Sequence, residues 1–589
     1  KLFTSIYMPK DTSEDHPILM ERSPYSCAPY GEGKWRDFWN SYMKYYLMEG
    51  YIMVKQDVRG RWMSEGEFVD IRPFNPDKKT TSDIDEASDT YDAIEWLIKN
   101  IPDNNGRVGV FGISYPGFYS TMAAASNHPA LVAVSPQAPV TNWFIGDDFH
   151  HNGAFFILDA FSFYPAMGAG FGLPRPKPVS RGPKTIDIPV HDNYKFYLET
   201  GALPAFAKLA GDSVRFWKEL YAHPDYDEWW KARDARNATK KLNPAMLWVG
   251  GHFDAEDNWG AWNAYKAAEG NNPGKEFNKL VMGPWYHVQW AQGDGTHLGN
   301  IHFGSNTSLW YQQNIEIPFF NYFLKGKGKK PDIAEATIFI TGENAWKRFD
   351  TWPPAATENK DLYLQPSGRL DWKQPESLSA FSEYVSDPSK PVPYTEDVHF
   401  SRTREYMTDD QRFAGRRPDV LSFKTDILEE DITLTGVVTA DLPVSISSTD
   451  ADFVVKLIDV FPDHLYYNKV DIYAEKDPEI RYPMGGYEML VHGEVFRGRY
   501  RNSFEKPSPF VPGKVEKVKF DVGDVAHTFK KGHRIMVQIQ SSWFPLVDRN
   551  PQKFVNIYEA KESDFQKATI RIHHNKKNPG KIVLPVLKR

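Results

Sequence analysis

Ser114 stands inside Gly112-Ile113-Ser114-Tyr115-Pro116-Gly117, directly behind the apolar run 107–111 and ahead of an alanine-rich stretch. A serine pinched between glycines at a strand-to-helix turn has its hydroxyl lifted above the sheet, beside the free N–H groups of the next helix. The usual elbow pattern puts its second glycine two residues after the serine; here that place is Pro116 and Gly117 is one further on. A serine hydroxyl is a weak nucleophile until a neutral imidazole takes its proton, and the imidazole needs a carboxylate to fix its tautomer and stabilise its cation.

Both partners have candidates just past apolar runs. The run 246–250 leads into Gly251-His252-Phe253-Asp254, and 279–282 leads into Gly283-Pro284-Trp285-Tyr286-His287. Each residue taken singly has an ordinary reading: an Asp after a strand is commonly a cap, and His252, His297 and His302 compete for the base. The three roles together, each at a strand end, favour Ser114, Asp254 and His287, the chain order of α/β-hydrolase triads. An oxyanion hole also needs two donors aimed at the developing charge. The backbone N–H of Tyr115 is one by position. In Arg22-Ser23-Pro24-Tyr25 the Tyr25 phenol is a second candidate, although it reads equally well as a packed loop tyrosine.

These residues need a parallel sheet, because chemistry in open α/β sheets sits at the carboxyl ends of strands. Apolar runs at 51–57, 107–111, 131–135, 246–250 and 279–282 predict its strands, and 85–99 predicts a helix with Ile94, Leu97 and Ile98 on one face. Asn104-Asn105-Gly106 predicts the turn into the next strand. The strand rhythm stops over 153–240, where a Gly/Pro-rich loop (167–183) precedes helical stretches at 203–210, 213–223 and 226–235. An insertion between two sheet strands reads as a helical cap over the pocket. Prolines at 353, 354 and 366 then mark a linker, followed by short alternating runs at 432–440, 442–448, 453–461, 515–522 and 534–540. Short strands without intervening helices predict a β-sandwich or jelly roll. The expected organisation is therefore an α/β domain (1–152 and 241–350), a helical cap (153–240) and a jelly-roll domain (351–589).

The 589 residues are about four times the ~150 of a typical domain, which agrees with several units. A net charge of −7 argues against nucleic acid as the main partner. Cys27 is the one cysteine, so neither an internal disulfide nor a cysteine-rich metal site is expected. No apolar run approaches the roughly 20 residues of a membrane span. The first residues, Lys1-Leu2-Phe3, already alternate like a strand, which leaves room for a leader upstream.

The motifs Arg-Ser-Pro-Tyr (22–25), Gln-Asp-Val-Arg-Gly (56–60), Ser-Glu-Gly-Glu-Phe (64–68), Gly-Ile-Ser-Tyr-Pro-Gly (112–117), Gly-Pro-Trp-Tyr-His (283–287), Gly-His-Arg-Ile-Met-Val (532–537) and Ser-Ser-Trp-Phe-Pro (541–545) resemble α/β-hydrolases with a jelly-roll tail. That family includes cocaine esterase, the Xaa-Pro dipeptidyl-peptidases and the α-amino acid ester hydrolases. The likeness spans essentially the whole chain, and G-x-S-Y-x-G is normal within it. It implies that Tyr25 is the side-chain oxyanion donor beside the Tyr115 amide. Segments 142–155 and 253–261 are most similar to the α-amino acid ester hydrolases and related amino acid ester acyltransferases. The resemblance implies that Asp148, Glu256 and Asp257 form a carboxylate cluster holding a substrate α-ammonium. His151 stands where an aromatic residue is expected. Without the resemblance, Glu256 and Asp257 read better as charges at a helix N-terminus and 147–148 as a solvated turn.

The expected activity is serine-dependent: an aminoacyl-enzyme forms from an α-amino acid ester or activated amide. Water then hydrolyses it, or an amine nucleophile intercepts it to give a peptide or β-lactam amide. Alternatives are an Xaa-Pro dipeptidyl-peptidase, a cocaine-esterase-like aryl esterase and a sugar-binding protein on an inactive scaffold. No metal or organic cofactor, nucleic acid or membrane is implied. A homo-oligomer and a periplasmic or secreted location follow from the resemblance alone.

Overall fold

The computed structural model describes residues 1–166, 190–211, 214–465 and 482–588. Its first half is a nine-stranded sheet in the order Thr4–Tyr7, Ile52–Asp57, His16–Ser23, Asn104–Ser114, Leu131–Pro139, Ala245–Gly251, Asn278–Gly283, Ala336–Ile340, Ala345–Phe349. The seven inner strands run parallel, and each edge strand is antiparallel to its neighbour.

The pleat explains why these segments form a central sheet. Side chains alternate between faces along a strand, and here both alternants are apolar. Ile18, Val54, Val110, Met246 and Met282 face one core, while Leu19, Met53, Phe111, Leu247 and Val281 face the other. The first face is covered by helices Glu86–Asn100 and Asn258–Asn271 and the end of Tyr115–Ala125. The second is covered by 311–324, with Tyr311, Phe319 and Phe320. Helix Glu86–Asn100 starts at a reciprocal cap: Asp85 accepts the Ser88 N–H at 2.8 Å and Ser88 Oγ accepts the Asp85 N–H at 2.9 Å.

Between the strands Leu131–Pro139 and Ala245–Gly251 lie the helices Asn193–Thr200, Leu203–Ala210, Arg215–Ala222 and Glu228–Ala232. The Gly/Pro-rich loop read at 167–183 lies outside the described residues. From Thr357 onward the chain is β-rich, with eleven strands among the described residues joined through one branched hydrogen-bond network. It grips the cap region directly. Tyr500 donates to Asp225 at 2.8 Å, His150 and Tyr558 share a 2.7 Å hydrogen bond, and Asp548 accepts the Phe155 N–H at 3.2 Å.

Two local expectations are corrected. Asn104-Asn105-Gly106 is not a turn before the strand but its start. Asn104 pairs with His16 ahead of a register shift, and its side chain accepts the Gly106 N–H at 3.0 Å. The separate runs 432–440 and 442–448 are one strand, Ile432–Ile446, with a register shift after Val438. Leu434, Val438, Ala440, Leu442, Val444 and Ile446 are buried on one unbroken alternation, and Asp441, which divides the two runs, is simply an outward position of it.

Candidate active site

The parallel order brings distant segments to one rim. Tyr25 follows His16–Ser23, Ser114 ends Asn104–Ser114, and Asp148 follows Leu131–Pro139. Asp254, Glu256 and Asp257 follow Ala245–Gly251, and His287 follows Asn278–Gly283. These strands are consecutive neighbours and parallel, so their carboxyl ends share one side of the sheet.

Ser114 is half-buried, with φ 69° and ψ −128°, a conformation rare for a residue with a Cβ and held here by its surroundings. The displaced glycine now has a physical reason. A Cβ on Gly117 would lie 2.6 Å from the Gln137 carbonyl oxygen, and one on Gly112 would lie 2.4 Å from that of Pro116. Helix Tyr115–Ala125 therefore starts in contact with the neighbouring strand, and Tyr115 is its first residue, in the turn whose N–H groups have no acceptor within the helix.

Tyr25 shares a hydrogen bond with the Ser114 side chain. Its residue is 37% exposed, yet burial around its hydroxyl, then the Asp148 and Glu256 charges, holds the phenol well above its ordinary range. It thus stays a neutral donor. The Tyr115 ring is fixed separately, its hydroxyl donating to Asp70 at 2.9 Å and its face stacking on Trp143 at 5.5 Å.

His287 Nδ1 lies 2.8 Å from Asp254 Oδ2. The other Asp254 oxygen accepts the N–H groups of Glu256 and Asp257 at 2.9 and 3.0 Å. Burial opposes a charge on His287, but Asp254 and Glu256 outweigh it and raise its pKa to about 9. Asp254 moves the other way: burial raises it, and His287 brings it below the ordinary carboxylate value. His252, by contrast, is buried against the Phe339 carbonyl at 2.8 Å, and burial lowers it to about 4. His297 and His302 pair with each other across a two-residue hairpin. His287 has the Asp254 carboxylate at Nδ1 and the Glu256 carboxylate at Nε2.

The carboxylates crowd this imidazole. Glu256 Oε2 is 3.1 Å from His287 Nε2, and Asp257 Oδ2 is 4.0 Å from Nδ1. Asp148 accepts the Trp143 indole N–H at 2.7 Å; burial and the Glu256 charge raise its pKa to about 8. Asp257 is wholly buried and both its carboxyl oxygens lack a hydrogen-bond partner. Burial, then Asp148, pushes it well above the ordinary range. It stands at the N-cap position of helix Asn258–Asn271 but makes no side-chain hydrogen bond there. The solvated-turn reading of 147–148 fails. Asp147 is fully buried and accepts N–H bonds from Thr141, Asn142 and Gly260 at 2.9, 2.8 and 2.7 Å. A Cβ on Gly260 would meet those Asp147 oxygens at 2.9 Å.

One expectation is corrected. Glu256 does not wait for a ligand cation, because Arg402 of the β-rich domain holds its Oε1 and also binds Asp159 Oδ1 at 2.6 Å. Sequence reasoning missed Arg402, Asp159 and Trp143. Arg402 lies nearly 150 residues from Glu256 in an irregular segment, where no local pattern marks it. His151, expected to alter the pocket wall, stacks on Phe156 at 3.9 Å and pairs with Glu494 at 3.0 Å.

Among the described residues no group of acids, histidines or cysteines could hold a metal ion, and no helix is long and apolar enough to cross a membrane. Residues 1–289 match the model of the X-Pro dipeptidyl-peptidase (S15 family), and 322–583 match that of the X-Pro dipeptidyl-peptidase C-terminal non-catalytic domain. A solved aminopeptidase from a marine-sediment Thaumarchaeota archaeon is 37% identical, with TM-score 0.89, covering 100% of this chain and 94% of its own. A solved α-amino acid ester hydrolase is 38% identical, with TM-score 0.88, covering 99% and 94%. Cocaine esterase of Rhodococcus sp. (strain MB1 Bresler) is 26% identical over 610 residues, covering 100% and 96%. The chain is a serine hydrolase of the X-Pro dipeptidyl-peptidase (S15) family, an α/β-hydrolase domain with a β-rich C-terminal domain.

Proposed function

We propose that this hydrolase takes substrates with a free α-amino group next to the scissile carbonyl, above all α-amino acid esters. The observation carrying this reading is Asp257: a buried carboxyl group with two unpartnered oxygens, beside Asp148 and next to the imidazole of His287. Leaving such a group unsatisfied costs several kcal/mol less once a cation joins it, and a charge-assisted bond to an ammonium is among the stronger hydrogen bonds available. With Glu256 already held by Arg402, Asp148 and Asp257 are the two carboxylates that face the ammonium.

In this reading Ser114 Oγ attacks the carbonyl carbon while His287 Nε2 takes its proton, and Asp254 stabilises the imidazolium. The tetrahedral oxyanion accepts hydrogen bonds from the Tyr115 N–H and the Tyr25 hydroxyl. Collapse expels the alcohol, which takes the proton back from His287, and leaves an aminoacyl-serine. Water or an amine then attacks it, giving the free acid or a new amide. The likeness to both an aminopeptidase and an α-amino acid ester hydrolase supports the free amine as the shared recognition element, and it makes amide cleavage the second reading.

The test compares alanine methyl ester with methyl propionate, which lacks the amine. Asp257→Asn and Asp148→Asn should lower kcat/KM for the amino ester by about 10- to 100-fold, the worth of a charge-assisted bond, and cause no comparable loss on the propionate. Equal losses on both esters would overturn the ammonium site. Alanine p-nitroanilide cleaved faster than the methyl ester would favour the peptidase reading.

A further inference from the structure

Arg402 is the cation that the cluster already contains, and it comes from the other domain. Its side chain is nearly buried, and its guanidinium bridges Asp159 Oδ1 and Glu256 Oε1. Glu256 in turn places Oε2 3.1 Å from His287 Nε2, the nitrogen that must be unprotonated to activate Ser114. The chain Asp159–Arg402–Glu256–His287 thus links the β-rich domain to the base.

The charges around this chain are unbalanced. Asp254, Glu256, Asp257 and Asp148 all act on His287, and every one of them favours its protonated form. Arg402 faces Asp159, Glu256 and Tyr406. Behind these, His151 and Glu494 pair with each other at 3.0 Å. Arg404 lies over the Tyr286 ring at 4.5 Å, one residue from His287. A fully charged Glu256 against Nε2 would hold the imidazolium closed to catalysis, whereas a guanidinium on its other oxygen withdraws that charge.

We propose that Arg402 is a positioning residue of the active site: by fixing Glu256 and sharing its charge, it lowers the pH at which His287 releases its proton. The reaction therefore needs the β-rich domain for its base, beyond any role in shaping the pocket. This rests on the Ser114–His287–Asp254 assignment and not on the ammonium reading.

The experiment is the pH profile of kcat/KM on p-nitrophenyl butyrate, a neutral ester that does not engage the ammonium site. Removing the cation in Arg402→Gln should move the acid limb up by about one pH unit or more, the scale of one nearby charge at an effective dielectric of about 20. Arg402→Lys should restore most of the shift. In a Glu256→Gln background Arg402→Gln should move the limb by clearly less, because the route through Glu256 is gone and only the direct charge remains. Asp159→Asn frees Arg402 for Glu256 and should move the limb down by a smaller amount, a reading that survives if Arg402→Gln fails to fold. A rate lost equally at all pH values overturns the proposal, and so does a shift of undiminished size with Glu256→Gln. An inert Ser114→Ala beside an unmoved Arg402→Gln limb sinks this proposal alone. An active Ser114→Ala sinks the triad and this proposal together.

Discussion

Two places in this molecule set three carboxylates side by side, and they handle the charge differently. In the β-rich domain, Asp450, Asp452 and Asp548 meet two arginines. Arg497 binds Asp452 at 2.8 and 3.0 Å and Asp548 at 2.6 Å, and Arg499 binds Asp450 at 2.7 Å. The second Asp450 oxygen takes the Ala451 N–H at 3.0 Å, and oxygens already on Arg497 also accept Asn550 at 2.7 Å and the Phe155 N–H at 3.2 Å. At the sheet rim, Asp148, Glu256 and Asp257 have one arginine, which Asp159 also claims, and one imidazole. The first cluster is saturated from within the protein and acts as a pin between domain and cap. The second leaves Asp257 unsatisfied. Burial alone does not mark a site; an unsaturated charge beside an activated hydroxyl does.

The sharpest way to break this contrast is at the hydroxyl. Ser114→Ala should cut methanol release from alanine methyl ester by about 10⁴-fold or more, as loss of a triad nucleophile does, with the melting temperature nearly unchanged. Full turnover in that variant would end the distinction. At the saturated cluster the loss should fall on stability instead. Arg497→Met strands Asp452 and Asp548, and breaking a buried pair costs about 3–5 kcal/mol, to be read from urea unfolding. A loss under about 1 kcal/mol would show that this cluster is no pin.

Tyr25→Phe should reduce kcat by about 10²–10³, the worth of one oxyanion donor, with KM changed far less. An unchanged kcat would return Tyr25 to a packing role. The smallest effect is in the pH dependence of stability. Asp148 moves from an ordinary 3.8 to about 8 on folding, so between those values the native state binds more protons and stability falls as pH rises. His287, raised from 6.5 to about 9, acts in the same direction: its contribution is full below pH 6.5 and lost as pH passes 9. The melting temperature should therefore fall from pH 6 to 9, and Asp148→Asn should flatten that slope. A wild-type curve that rises across this range would contradict the unsaturated cluster.

Much of this was legible in the chain itself. Gly112, Ser114 and Gly117 declare a strand-to-helix turn, because only glycine tolerates the contacts with the Pro116 and Gln137 carbonyls. The alternating apolar runs declare a sheet buried on both faces, and the runs ending near Asp254 and His287 declare which residues its rim displays. These signals are local: period, turn chemistry and steric demand operate within a few residues. Where the local pattern lapsed, reading failed. The polar Asp441 made one strand look like two, and the strand start at Asn104 looked like a turn.

The charge balance of the site belonged to the tertiary structure. Whether Asp257 caps a helix or stands unpaired depends on Asp147, which takes the Gly260 N–H that such a cap would need. Whether Glu256 is free depends on Arg402, brought there by the docking of one domain on another. Sequence fixes which charges a chain carries, but a charge is felt across several ångströms of space regardless of chain distance, so only packing decides which ones meet.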